Sequence, residues 1–425
     1  MRLFVSGLAI LMHVACSAFA VEPEALATTA PGWHLEVVAP VDQSYAGWDV
    51  EIGDADNDGQ NEILTTGCPD SRLYLFKKTG GAWETRLLAD NLAQTHPGMG
   101  LAVKVADLNG DKKNELVLGT GQEADATAYF YVMSTDGKKI LQQTVSHPTD
   151  CNKSAYTHDL AMADLDKDGV CEVISAYCGG GEIIRYDLSP TLDTIQARKI
   201  HNLSGSGEEA ILFDVDNDGA LEFITANGFR KGQARLEIFE FDDNGEMIVP
   251  PRIVLDGPAG QPAFYVSAMP GDLDNDGKNE LAVGWKLEQK INKATLEVYR
   301  IGDAARCVAT LEKDTEDLDM AYFEKMMAIA DADNDGKNEL VISTRGDNKS
   351  EFITSGHLGR VYMYRWNEKD GVARTQLADF DDHYAESSWL AVGDADNDGK
   401  NEIALATGKG DRTQPGTSYV VLLKK

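Results

Sequence analysis

A nine-residue pattern, Asp-x-Asp-x-Asp-Gly-x-x-Glu or a near copy, begins at Asp54, Asp107, Asp164, Asp214, Asp272, Asp331 and Asp394. Successive starts lie 53, 57, 50, 58, 59 and 63 residues apart, so a unit of one size recurs along nearly the whole chain. Such a length holds four short strands with their turns, and a closed array of such units needs no second domain. Seven loops predict seven units.

Within each loop, positions one, three, five and nine alternate along a tight turn and converge on one point. They are Asp54, Asp56, Asp58 and Glu62, then Asp107, Asn109, Asp111 and Glu115, then Asp164, Asp166, Asp168 and Glu172. The later copies are Asp214, Asp216, Asp218 and Glu222, then Asp272, Asp274, Asp276 and Glu280. The last two are Asp331, Asp333, Asp335 and Glu339, then Asp394, Asp396, Asp398 and Glu402. An all-oxygen set suits a hard cation, calcium above all, and glycine at position six, as in Gly59, permits the sharp turn. The second copy has Lys112 in that place and Gly110 two residues early, which predicts the weakest site. One such cluster would read as a hydrophilic turn; seven with fixed internal spacing predict up to seven calcium ions. Since every unit repeats the loop, the ions read as structural staples rather than catalytic metals. An EF-hand is excluded, because its closing carboxylate comes at position twelve between helices. Here position nine runs straight into strand-like sequence such as Ile63-Leu64-Thr65-Thr66.

Each unit reads as four strands: one entering the loop, one leaving it, a third alternating as in Leu73-Tyr74-Leu75-Phe76, and a fourth such as Trp83 to Ala89. The expected fold is all-β, a seven-bladed propeller with a calcium loop in each blade. The last blade stops at its third strand, Ser418 to Leu423, while Trp33 to Ala39 matches the fourth strand Trp83 to Ala89 position by position. The N-terminal strand is therefore expected to complete the last blade and close the ring.

The net charge of −31 is mostly a property of these loops: four ligands in each of seven, less Asn109, give 27 carboxylates. Seven bound divalent ions would leave −17, which still argues against nucleic acid as a partner. Arg2, the apolar run Leu3 to Val14 and Ala18-Phe19-Ala20 read as a signal peptide over residues 1–20, so the mature protein is expected to be secreted or periplasmic. Residues 21–32 read as a linker and 33–425 as the propeller, with no membrane span and a monomeric state expected. Cys16 raises lipoprotein processing, but His13 stands where an aliphatic residue is normal for it. Of the other cysteines, Cys151 and Cys178 are the expected disulfide, both falling in loops of the third unit, with buried free thiols the alternative.

The loops and their strand context resemble the FG-GAP or VCBS repeats of integrin-α-type propellers over about Trp33 to Leu423, without a strict Phe-Gly or Gly-Ala-Pro signature. The resemblance implies a cell-adhesion head, a secreted binding protein, or a polysaccharide lyase of the ulvan-lyase kind.

The rim opposite the loops gathers basic and aromatic residues. Loops between second and third strands supply Arg72, Arg230, Lys231, Lys286, Arg345, Lys409 and Arg412, and loops between units supply Tyr45, His96, Lys153, Tyr156, His158, Tyr265, His383 and Tyr384. Arginine forks suit carboxylate or sulfate, and aromatic rings suit sugar faces. The candidate ligand set is Arg72, His96, Tyr156, His158, Arg230, Lys286, Arg345 and Arg412. The expected function is binding of an extracellular ligand, an acidic polysaccharide, on this face. The alternatives are β-elimination on uronic-acid glycans, with Tyr156, His158, Arg230 and Arg345 as catalytic candidates, and protein–protein adhesion. Any one of these residues taken alone has a structural role as its ordinary explanation. No Walker loop, zinc-protease helix motif, nucleophile elbow or CxxC pair occurs.

Overall fold

The structure is a computed structural model that describes residues 26–42, 45–122, 127–146, 155–178, 180–203, 205–228, 234–258, 261–287, 293–316, 318, 326–344, 359–380, 389–407 and 418–425. Residues 45–48, 146 and 155 are described by backbone alone. All regular structure among the described residues is β-strand.

The first repeat pairs Tyr45–Gly53, Glu62–Cys68, Leu73–Thr79 and Ala82–Ala89 antiparallel in chain order. Among the described residues six more groups follow, their first strands being Gly98–Ala106, Ala155–Ala163, Ile211–Phe213, Tyr265–Gly271, Met327–Ala330 and Leu390–Gly393, and in the last of them the fourth strand is His34–Val41. In every group the residue just before the acidic loop faces the loop's closing glutamate across the ladder. Gly53 faces Glu62, Ala106 faces Glu115, and Gly393 faces Glu402. The nine-residue pattern is thus the turn of a hairpin, and the period-two patterning on either side places strands where the sequence predicts them. The second and third groups are also joined directly, Tyr156 facing Gly121.

Second strands such as Glu62–Cys68, Glu172–Cys178 and Glu280–Lys286 are buried at every residue, whereas the fourth strand Ala82–Ala89 is largely wet. A strand buried on both faces needs apolar cover on both sides, and neighbouring groups provide it. Leu64 and Leu75 share a cluster with Val103 and Leu118, Val117 with Val173, and Ile174 with Phe223. Ile224 shares one with Leu281, Leu296 with Leu340, and Val341 with Ile403. Ala404 and Val420 of the last group then share one with Val50 and Ile63 of the first. The packing therefore returns to its start. Each fully buried Leu or Ile contributes roughly 1.5–3 kcal/mol, so these interfaces, not single sheets, hold the molecule together.

His34–Val41 pairs antiparallel with Ser418–Lys424, from His34 opposite Lys424 to Val41 opposite Ser418, with a bulge between Val37 and Ala39. A strand from early in the chain thus completes the sheet that holds the last one. Within the expected linker, Thr28–Thr29 pairs with Ala378 and Asp379 at the edge of the sixth group, and Leu26 is buried. Leu26 and Ala27 supply apolar area to the cluster around Leu377, which is why the strand reaches that far. The signal segment and Cys16 lie outside the described residues.

Candidate metal loops and the opposite face

The loops share one backbone. Position four takes a positive φ, as in Asn57 (61°), Asn275 (62°) and Asn397 (62°), and so does position six, as in Gly59 (87°). Asparagine tolerates that region better than other non-glycine residues. The second loop exchanges the two, with Gly110 at 73° and Lys112 at 68°. A Cβ on Gly110 would lie 3.2 Å from the carbonyl of Gly169 in the next loop, so glycine is held at position four by close approach. Lys112 then bears a left-handed conformation costing about 1 kcal/mol. The hydrogen bonds are unchanged: the Asp54 carboxylate accepts from the N–H groups of Asp58 and Gly59, both at 3.0 Å, and Asp107 accepts from Asp111 and Lys112 at 3.1 and 2.8 Å. The irregular second copy is therefore regular in shape.

Position nine carries the strongest electrostatics. One oxygen of each glutamate accepts the position-two N–H, at 2.9 Å for Glu62 and Ala55 and 3.0 Å for Glu402 and Ala395. Burial, with the neighbouring aspartates, pushes Glu222, Glu339 and Glu402 up to about 7, and burial also raises Glu62, Glu115, Glu172 and Glu280. Carboxylate oxygens of Asp54, Asp56 and Glu62 converge within 4.8 Å of one another, as do those of Asp164, Asp166 and Glu172 and of Asp214, Asp216 and Glu222. Buried Asp333 Oδ1 has no hydrogen-bond donor among the described residues. Converging hard oxygens that resist ionisation fit a divalent cation such as calcium, which would favour their charged forms.

Sequence reasoning missed the cations that the fold already inserts here. Lys77 Nζ lies 2.9, 2.6 and 2.9 Å from Asp56, Asp58 and Glu62. Arg300 reaches Asp274 at 2.7 Å and Glu280 at 3.0 Å, and Arg252 reaches Asp216 at 2.7 Å. Arg185, Arg365 and Lys424 approach Glu172, Glu339 and Glu402. Among the described residues no Lys or Arg forms such a pair with Asp107, Asp111 or Glu115.

Asparagines bind successive loops together. Asn57 Oδ1 accepts the Asn114 N–H at 2.6 Å, and the Asn114 amide donates to the Asp54 carbonyl at 2.9 Å. The same exchange joins Asn217 to Asn279, Asn275 to Asn338, Asn334 to Asn401, and Asn397 to Asn61. At the other two junctions neither asparagine is present, the pairs being Gly110 with Cys171 and Lys167 with Leu221. Cys171 N–H instead donates to the Leu108 carbonyl at 2.8 Å. This pairing of positions four and eight is visible in the sequence once the loop order is known.

A second tie runs along the inner strands, five residues before a loop. Buried Asp49 accepts the Val103 N–H at 2.7 Å, Asp159 accepts that of Ala210 at 3.2 Å, and Glu209 accepts that of Ala268 at 2.9 Å. Asp159 and Glu209, with Lys104, line a cavity of about 460 Å³ between the first strands.

At the end opposite the loops, the candidates separate. The Arg72 guanidinium lies 3.3, 3.2 and 3.4 Å from Asp70, Asp90 and Asp42, a structural clamp. His96 is exposed, its Nδ1 3.2 Å from Asp70. Tyr156, His158, Tyr265 and Lys286 are buried rather than solvent-facing, because they lie on strands covered by the neighbouring groups. His158 packs edge-on against Tyr156, with ring centroids 5.6 Å apart, and its Nδ1 lies 2.8 Å from Glu208 of the next group. Glu208 was not among the expected residues; it stands six residues before its loop, as His158 does before its own. Cys178 is buried, with its sulfur within 4.8 Å of ligand atoms of His158 and Glu208, while Cys151, its expected disulfide partner, lies outside the described residues. Arg230, Lys231, Arg345, Lys409, Arg412, Lys153, His383, Tyr384 and Cys151 lie outside the described residues, and Tyr45 is described by backbone alone.

The fold and the loops define a class, which comparison supports. Residues 214–283, from the fourth loop into the second strand of the fifth group, match the FG-GAP-like repeat family. That stretch is similar to an FG-GAP-like repeat, and it lies within a propeller-like all-β fold. A crystal structure of a protein from Lactobacillus plantarum is similar over 81% of this chain and 86% of that chain, with 12% identity and a TM-score of 0.51, a likeness of fold alone. The C-terminal domain of Pseudomonas aeruginosa PilY1 gives a TM-score of 0.44 at 10% identity over 88% of this chain and 83% of that chain. No curated protein matches the chain. Among the described residues no helix is long and apolar enough to cross a membrane.

Proposed function

We propose that the chain is a seven-bladed propeller closed by its N-terminal strand, holding calcium at up to seven loops and exported behind a signal peptide at residues 1–20. Its role is to bind an extracellular ligand, an acidic polysaccharide, at the end opposite the loops. The observation that supports this reading is a polar set sunk among apolar residues at that end. Tyr156 is buried in one apolar cluster with Tyr265, Trp389 and Leu101, and the buried His158, Glu208 and Lys286 adjoin Tyr156 or Tyr265, where purely apolar packing would be the more stable choice. Polar groups retained at such cost mark a recognition site. In this reading the exposed His96 and the arginines 230, 345 and 412 meet carboxylate or sulfate groups, and aromatic rings meet sugar faces.

The test is a glycan array probed with calcium-loaded protein. Retention on uronic-acid or sulfated polysaccharides but not on neutral ones is expected, and weaker retention for His96→Ala and Arg230→Ala. A protein that ignores every acidic glycan yet captures a protein ligand would instead be an adhesion module.

One observation favours β-elimination as a second reading: Glu208 Oε2 lies 2.8 Å from His158 Nδ1, close enough for its charge to raise the basicity of the imidazole for proton abstraction. Ultraviolet absorbance from unsaturated uronate products, lost in His158→Gln, would establish it.

A further inference from the structure

The cluster at His158, Cys178 and Glu208 differs in kind from the acidic loops. One ligand atom from each, a ring nitrogen, a sulfur and a carboxylate oxygen, lies within 4.8 Å of the others, and all three residues are buried. Each side chain is set by sheet structure. His158 is on Ala155–Ala163, Cys178 ends Glu172–Cys178, and Glu208 directly follows Ser206–Gly207, itself paired with Asn227 and Gly228.

Two further observations point to a ligand. His158 Nδ1 and Glu208 Oε2 are 2.8 Å apart, yet this buried oxygen has no donor in hydrogen-bonding alignment among the described residues. Nitrogen and oxygen approach each other without pointing at each other. The surroundings are also cut to hold the carboxylate. A Cβ on Gly228 would lie 3.1 Å from Glu208 Oε1 and 3.0 Å from the Tyr265 ring, and one on Gly207 would lie 3.0 Å from the Tyr177 nitrogen. Ser206 Oγ donates to Glu208 Oε1, fixing the carboxylate from behind.

We propose that His158, Cys178 and Glu208 form a site for a borderline-soft divalent ion, zinc in the first place, distinct from the calcium loops. Thiolate and imidazole select zinc over calcium, which prefers oxygen alone. Cys178 gives up its thiol proton to solvent on binding. Three protein ligands leave a fourth position for water or a ligand oxygen. Ser206 is a positioning residue, acting through Glu208. The site stands whichever ligand the face takes, but an imidazole bound to metal cannot also be the base of an elimination, so metal content bears on that reading too.

The test uses full-length protein stripped with chelator, refilled with excess calcium to satisfy the oxygen loops, and titrated with cobalt(II). One equivalent with a thiolate-to-cobalt charge-transfer band and tetrahedral visible absorption is expected, and zinc should displace it. Cys178→Ser should abolish the band while the calcium-dependent melt persists. Ser206→Ala should keep the band but weaken binding by about 10- to 100-fold. A folded protein with no thiolate band, or a band that survives Cys178→Ser, overturns the assignment.

Discussion

The backbone N–H of Asn61 donates to Asn397 Oδ1 at 2.7 Å, joining residues 336 apart in sequence. The Asn61 amide donates to the Asp394 carbonyl at 2.8 Å, and the Asn397 amide donates back to the Asn61 carbonyl at 2.9 Å. Four other junctions repeat this exchange within a short stretch of chain; here it joins the last loop to the first.

Asn397→Ala removes two of these three bonds and places alanine at φ 62°. A loss of roughly 1–3 kcal/mol is expected from denaturant unfolding, given about 0.5–1.5 kcal/mol per bond. Asn397→Gly, which relieves the backbone, should cost less. Asn61→Ala, which removes the third bond, should cost about 0.5–1.5 kcal/mol; variants at both positions as stable as the parent would mean that the junction contributes nothing.

Asp49→Ala leaves the buried Val103 N–H without its acceptor. An orphaned donor costs about 1–3 kcal/mol, so a lower melting temperature is expected. Asp49→Asn, which keeps an acceptor oxygen, should fall in between.

In metal-free protein Glu222, Glu339 and Glu402 hold protons up to about 7, against an ordinary value of 4.5. Between those values the folded state binds more protons than the unfolded one, so stability falls as pH rises through that window. Calcium should flatten the profile and release protons on binding, read by calorimetry in two buffers of different ionisation enthalpy. An unchanged melt after chelation at pH 8 would remove calcium from the account.

Deleting residues through Val41 uncovers the edge of Ser418–Lys424. A lower melting temperature and concentration-dependent association are expected, since a bare strand edge recruits other chains. Size-exclusion chromatography over a dilution series checks this; a truncated protein that stays monomeric with an unchanged melt would show that the pairing is dispensable.

The regular parts of the molecule were legible because they are local. The acidic loop closes a hairpin within nine residues, so its spacing fixes where strands begin, and the match of Trp33 to Ala39 with Trp83 to Ala89 located the closing strand. Even the positive φ shared by Asn57 and Gly59 is written in residue type.

What the sequence could not settle by itself is decided between repeats. Which cation enters which loop depends on strand register: Lys77 and Arg300 reach their loops across a ladder, while Arg252 comes from beside the fourth strand of its group. Arg72 looked like a ligand residue and is held by three aspartates brought from separate turns. His158, Cys178 and Glu208 lie at unremarkable spacings, and only packing of the third group against the fourth, across glycines too small to keep them apart, puts their ligand atoms together. Local hydrogen bonding and side-chain periodicity thus determine the repeat and its loops from sequence alone, whereas the chemistry at the opposite end depends on contacts between distant strands that no local pattern encodes.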